Sequence, residues 1–386
     1  EITMHFTVSK SVLQKGLQKV VGVIPPKTTI PILENLLLEL EGNKLRITGT
    51  DLEICISTEV TVNGTLDGSS AVPARSLNEI LRELPDIPLN IQSDDQNKIV
   101  IKTATGLYKL SGQPKEEFPS IVLEDSEGKI DVPANILYRM INKTIFAVSS
   151  DELRTTLMAV YFQFMEEEFR CVATDGHRLV KINNYQIKSP DFHRDIIVPT
   201  KSLSLLLRNI ETQENQEKTI VNISIGENHI IFKFDETFIY SKLVEGQYPK
   251  YENVIPIDND KKLLVNKAEL SAAVRRVSIF SNSFTHQIKF SIESEKMMIT
   301  SEDVEFGGEG NEEIDVKYDA ENIEVAYNGI YILDILKHVD TDEAYFLIKD
   351  SVSAAIVTPS NQKENEELMM LIMPIRLNEG KTEKEE

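Results

Sequence analysis

The chain has 386 residues, 41% of them hydrophobic, and a formal net charge of −21. No apolar run approaches the ~20 residues of a membrane span, no basic-then-apolar N-terminal block predicts a secretory signal, and two cysteines without a CxxC argue for reduced core thiols over a disulfide or zinc site. A charge this negative argues at first against a nucleic-acid partner, and the length allows two or three domains.

In chain order, Phe6 to Lys10 reads as a strand running into a helix over 9–21, with Ser9 as its cap. Val12, Leu13, Leu17, Val20 and Val21 fall on one side, and Lys15 and Lys19 lie one turn apart on another. Alternating segments at 36–40, 45–48 and 54–60 follow, punctuated by hairpin chemistry at Glu41-Gly42-Asn43 and Asn63-Gly64. The pattern then restarts: Ala71 to Leu77 enters a helix over 74–84, followed by strands at 89–92, 99–103 and 107–111. Helices are predicted again over 134–147, 200–210, 266–279 and 328–339. Pro73, Pro133 and Pro199 stand where strand turns to helix. For the fourth helix Thr200 is the expected cap, with Leu203, Leu206 and Leu207 inward.

The register of this pattern is long. Asp51, Asp175 and Asp303 end equivalent strands at steps of 124 and 128 residues, and Val72, Val198 and Val325 recur at 126 and 127. Such a period predicts three copies of a whole domain rather than a solenoid of units of roughly 20–50 residues. Each copy holds two β-α-β-β-β halves, so the expected fold is α+β, with helices packed on antiparallel sheets. The division expected is 4–126, 127–255 and 256–377, with a charged tail over 378–386 that lacks apolar anchors and reads as disordered.

Charge is segregated within this frame. The six predicted helices carry thirteen Lys and Arg against four acids, Glu79, Glu83, Glu269 and Asp334, so the acid lies mainly on strands and turns. Lys favours helices, but Glu does so equally; its scarcity there points to a function. Helices lining a concave surface, with acidic sheets outside, would attract a duplex without reading its sequence. No zinc-finger spacing, basic heptad or RNA-recognition aromatic motif is present.

Several blocks make the chain similar to a known family. They are Thr29–Leu38 (TIPILENLLL), Thr48–Glu53 (TGTDLE), Val72–Arg75 (VPAR), Ala173–Leu179 (ATDGHRL), Ser241–Gly246 (SKLVEG), Tyr248-Pro249, Val254–Pro256 (VIP), Asp350–Ser353 (DSVS) and Met373–Leu377 (MPIRL). Over nearly its whole length the sequence resembles the bacterial sliding clamps, the β subunits of DNA polymerase III. The resemblance implies a DNA-clamp fold. In it a head-to-tail homodimer forms a ring of six domains around double-stranded DNA, with helices inside and sheets outside. Such a ring holds the polymerase by topology, without chemistry, cofactor or metal. It implies DNA contacts at Lys27, Arg75, Arg139, Arg154, Lys201 and Arg208. A hydrophobic pocket for the short motifs of polymerases, clamp loader and repair proteins is implied at Leu157, Thr174, Gly176, His177, Arg178 and Leu179. Its further walls are Pro249, Val254, Tyr331, Val352, Leu371, Met373, Pro374, Ile375 and Arg376. The ring joint is implied at Ile80, Leu84, Tyr108 and Leu110 against Ile279 and Phe280, with acids near Glu302 and Glu305. Thr155 and Thr156 depart from the two aromatics of the best-known clamps, and Tyr251-Glu252-Asn253 is less basic than the familiar pattern. A cytoplasmic, nucleoid-associated protein is the corresponding expectation.

Two rivals come from the residues themselves. Asp175, His177 and Arg178 could be cast as a catalytic base with its orienting acid, but the equivalent positions Asp51-Leu52-Glu53 and Asp303-Val304-Glu305 lack a histidine, which favours a structural turn. Gly307 to Gly310 lacks the lysine of a phosphate loop and reads as a plain loop. His5, His193, His229, His286 and His338 show no ligand spacing. The other rival is a repeat-built scaffold that binds only proteins.

Overall fold

The computed structural model describes residues 1–120, 126–212, 215–303 and 307–377; Glu305 and the tail 378–386 lie outside the described residues. Six α-helices form: α1 Lys10–Val20, α2 Ala74–Glu83, α3 Ala134–Asn142, α4 Thr200–Glu211, α5 Lys267–Val277 and α6 Gly329–His338. The chain gathers into two compact units, Glu1–Arg139 with Val198–Val244, and Met140–Ile197 with Glu245–Glu386. The fold is α+β, with antiparallel sheets dominating.

The first unit contains a five-stranded sheet, built on Ile2–Ser9 and ending at the edge strand Leu107–Ser111, and an eight-stranded sheet. In the larger sheet Ile54–Thr61 pairs with Thr237–Lys242, from Thr58 opposite Thr237 to Ile54 opposite Ser241. Strands from the first and second sequence repeats therefore share one ladder. Helix α1 lies on this sheet through Leu13, Leu17 and Val20, while Val12, expected inward, is 37% exposed. Gly16 permits the close approach, since a Cβ there would sit 2.7 Å from a Val60 methyl. The Ser9 hydroxyl accepts from the Val12 amide, as a helix cap does.

Helix α4 buries Leu203, Leu205, Leu206 and Ile210. Leu205 takes the inward place expected of Leu207, which is half-buried. Thr200 is the first helical residue rather than the cap: Pro199 occupies that position with φ −59°, and no side chain caps the amides.

In the second unit a twelve-stranded sheet runs across sequence-distant strands. Arg178–Asn184 pairs along its length with Glu366–Ile372, Arg178 opposite Ile372 and Asn184 opposite Glu366. This places the end of the described chain beside the middle repeat. Residues Gly308–Gly310, read as loop from sequence, begin the strand Gly308–Tyr318 and pair with Ser301 to Asp303. The glycines lie under the Phe280 ring, where a Cβ at Gly310 would come within 2.5 Å. Helix α3 ends five residues earlier than expected. The Thr144 hydroxyl donates back to the carbonyls of Met140 (2.9 Å) and Ile141 (3.1 Å), and the chain tightens into a 3-10 turn at Ile145–Ala147. Lys143 thus lies beyond the helix and is nearly buried, donating to Asp340 and to the His338 carbonyl. The six observed helices hold twelve Lys and Arg against five acids, Glu211 having joined α4. The cationic excess on helices remains.

Candidate partner-binding pocket and candidate nucleic-acid interface

The repeated Asp residues make the same turn in both units. The Asp51 Oδ1 accepts from the amides of Glu53 (3.0 Å) and Ile54 (2.7 Å). The Asp175 Oδ1 accepts from His177 (2.9 Å) and Arg178 (3.0 Å). The preceding threonines match too: Thr50 donates to the Ile54 carbonyl and Thr174 to the Arg178 carbonyl. Position two of the turn needs a left-handed backbone. Gly176 has φ +92° and Leu52 has φ +78°, and a leucine there is strained. Asp175 is therefore occupied in holding a turn, which leaves no free carboxylate to act as a base.

This turn is the floor of an apolar cavity of about 570 Å³ in the second unit. The cavity brings together Leu157, Thr174, Gly176, Arg178, Leu179, Pro249, Val254, Val352, Leu371 and Met373 from the sequence-based set. Under it lies a core of Val172, Leu179, Tyr251, Ala354, Ile356, Met369 and Leu371. Its mouth exposes Val254 (56%) and Val352 (58%), apolar surface that water solvates poorly.

One wall, the segment 248–256, is fixed by tyrosines. The Tyr251 hydroxyl donates to Gln163 (2.6 Å) and accepts from Arg170 (2.8 Å). Tyr248 stacks on Tyr161 at 4.5 Å, whose hydroxyl donates to Asp195. Burial, opposed by the Arg170 contact, pushes the Tyr251 phenol up to about 12.

The opposite wall is held by Arg178, only 8% exposed. Its guanidinium donates to Asp175 (3.2 Å), Asp334 of α6 (2.6 Å) and the Phe146 carbonyl (3.0 Å), and lies 4.5 Å from the Tyr331 ring centroid. A planar fork with three acceptors and an aromatic face suits arginine and not lysine.

Five sequence-based pocket residues do not line the cavity. The Tyr331 ring packs against Arg178 and the His177 ring stacks on Tyr331 at 6.3 Å, and the His177 carbonyl accepts the Met373 amide. Beyond Met373 the chain leaves: the Ile375 amide donates to the Ala326 carbonyl at 2.8 Å, taking Pro374 with it, and Arg376 and Leu377 line a separate polar cavity with Gln287 and Glu302. Sequence reading missed Lys250, Tyr251, Pro256, Asp258, Lys349, Ser353 and Ala354. Lys250, Tyr251, Ser353 and Ala354 adjoin named residues and were within reach. The ion pair of Asp258 with Lys349 (2.6 Å) spans 91 positions and left no local trace.

Of the six candidate DNA contacts, Lys27, Arg75, Arg139, Lys201 and Arg208 belong to the first unit and Arg154 to the second. Lys27, Arg75, Arg154, Lys201 and Arg208 are exposed; Arg139 on α3 is half-buried. Arg75 pairs with Glu79 (2.9 Å), Lys201 with Asp51, and Arg154 with Asp151 (3.0 Å). Helices α1 and α4 meet where the Asn209 amide donates to the Lys19 carbonyl (3.1 Å). A Cβ on Gly22 would lie 2.8 Å from the Arg208 guanidinium, so Arg208 lies beside the chain just past the end of α1. Among the described residues no group of three or more His, Cys, Asp or Glu is placed to hold a metal, and no helix is long and apolar enough to cross a membrane.

The comparisons with known proteins agree along nearly the whole chain. Three family models match in order: the N-terminal domain of the DNA polymerase III beta subunit over 4–124, its central domain over 131–250 and its C-terminal domain over 252–376. The chain belongs to this family. Members are sliding clamps, which confer processivity and are not enzymes. The "Beta sliding clamp" of Pseudomonas aeruginosa is 34% identical over 379 residues, covering 97% of this chain and all of that protein. That of Haemophilus influenzae is 31% identical over 375 residues with the same coverage. A solved P. aeruginosa sliding clamp bound to griselimycin superposes with a TM-score of 0.91 at 33% identity, covering 97% of this chain and 100% of that one. A Caulobacter crescentus clamp, with polyethylene glycol in a putative beta-motif tethering region, gives 0.90 at 30% identity and the same coverage.

Proposed function

We propose that the protein acts as a head-to-tail homodimeric ring that encircles double-stranded DNA, slides without reading sequence, and tethers the replicative polymerase. The observation that carries this reading is the ordered match of all three clamp domain models from residue 4 to 376. We assign three domains, 4–126, 127–255 and 256–377. Lys27, Arg75, Arg139, Arg154, Lys201 and Arg208 face the duplex as scattered charges, a pattern that attracts phosphate without fixing position.

The ring joints are proposed at two open strand edges. Among the described residues, strand Leu107–Ser111, carrying Tyr108 and Leu110, pairs on one side only, with Lys98–Lys102. Residues 308–315 of Gly308–Tyr318 likewise pair, among the described residues, only with Lys296–Asp303. Ile80 and Leu84 are half-buried, whereas Ile279 (76%) and Phe280 (41%) are exposed. Open edges beside exposed apolar side chains need covering, and one such edge on each of two patches gives two identical joints under a two-fold.

The apolar cavity is the docking site for polymerase, clamp loader and repair proteins, and the protein works in the cytoplasm at the nucleoid. The test is retention on nicked circular DNA, loaded with clamp loader and ATP, before and after linearisation. Loss on linearisation is the expected result; persistence on the linear form, or no retention at all, refutes encirclement.

A further inference from the structure

We infer that Lys250 makes the docking cavity selective for partner segments that carry a carboxylate beside their apolar anchors. This deepens the docking role proposed above and rests on it. The charged groups lining the cavity are Arg178, Asp258, Lys349 and Lys250. Arg178 is matched by Asp175 and Asp334, and Lys349 by Asp258 at 2.6 Å. Lys250 alone of these has no ion-pair partner among the described residues, and it is exposed. The acid two positions on, Glu252, is drawn toward Arg170 at 3.9 Å. Lys250 is therefore the one charged group of the lining without an ion pair among the described residues, on a chain of net charge −21.

That charge is well placed. Lys250 precedes the short helix Tyr251–Val254, and its carbonyl accepts the Asn253 amide. Tyr251 is pinned to Gln163 and Arg170, so the lysine stem starts from a fixed point between Pro249 and the exposed Val254. The rest of the lining is mostly apolar, which disfavours a small free anion and favours a peptide with large apolar side chains. An extended segment that seats such side chains against Leu179, Leu371 and Met373 and crosses the lip brings one flanking residue to Lys250. A carboxylate there gains a rim ion pair, and a lysine or arginine there is repelled. For an exposed pair the gain is about two- to fivefold in Kd.

The experiment pans a randomised heptapeptide phage library on the whole protein. The selected peptide and its Glu→Gln or Asp→Asn form are then compared by fluorescence polarisation on the protein and on Lys250→Glu. The inference expects acidic residues enriched beside apolar ones, a Kd about threefold lower for the acidic form, and inversion of that ratio on Lys250→Glu. The same ratio on both proteins overturns it. Met373→Asp, at the mouth of the cavity, separates the two levels of the argument. If it abolishes binding while the ratio stays insensitive to Lys250, the docking site stands and the selectivity falls. If binding survives Met373→Asp, or no peptide is selected, both fall.

Discussion

Replacing Asp334 with alanine tests how the cavity wall is held. Asp334 accepts from the Arg178 guanidinium at 2.6 Å, and Arg178 is 8% exposed. Removing one partner of a fully buried ion pair costs about 3–5 kcal/mol. The Asp334 side chain is 39% exposed, however, so water replaces part of what is lost. Arg178 also retains Asp175 and the Phe146 carbonyl. A cost of about 1–2 kcal/mol follows, near that of one hydrogen bond to a charged group. The loss falls on local opening of the turn 174–178, whose His177 carbonyl holds the Met373 amide at 2.8 Å. Native-state hydrogen exchange at the Met373 amide reads this directly, and 1–2 kcal/mol corresponds to about 5- to 30-fold faster exchange. Peptide affinity for the cavity should fall in parallel, since Arg178 and Met373 both line it. Exchange at Met373 within twofold of the parent would refute the claim that α6 braces the docking site.

Leu52→Gly relieves a φ of +78° and should stabilise the first unit by about 0.5–1 kcal/mol in urea unfolding, because glycine adopts this backbone freely; unchanged or lower stability would refute the strain. Joint replacement of Lys201 and Arg208 by alanine should weaken DNA loading and flatten its log–log salt dependence by about two units, whereas an unchanged slope would place the duplex elsewhere. Alkaline pH should destabilise the fold. Burial raises the Cys55 thiol from 9.0 to about 12 and the Tyr251 phenol from 10.0 to about 12. Both favour the protonated native state, so their stability is complete below pH 9 and is lost as pH rises through 9–12. A flat urea midpoint across that range would contradict it. Native Cys55 and Cys171, both buried and free, should resist iodoacetamide at pH 8 and react only on unfolding.

Much of the fold was legible because its signals are local. Six helices could be placed within a few residues because apolar spacing, prolines at strand ends and hairpin turns act over short windows. The misreadings mark where tertiary contact overrules local preference. Val12 faces out and Leu205 in, Thr144 ends α3 early, and Gly308–Gly310 extend as strand beneath Phe280.

What the sequence determined by itself is the threefold repeat, the α+β units, the cationic bias of the helices and the blocks around Asp175 and Met373. Each depends on identity or spacing along the chain. Tertiary structure alone decided that Arg178–Asn184 pairs with Glu366–Ile372, and so which residues share the cavity. It also decided that Pro374 to Arg376 turn away from it and that Asp258 neutralises Lys349 while Lys250 has no ion-pair partner among the described residues. Such facts join residues up to about 200 positions apart, and the match of one surface to another is not written in either segment alone.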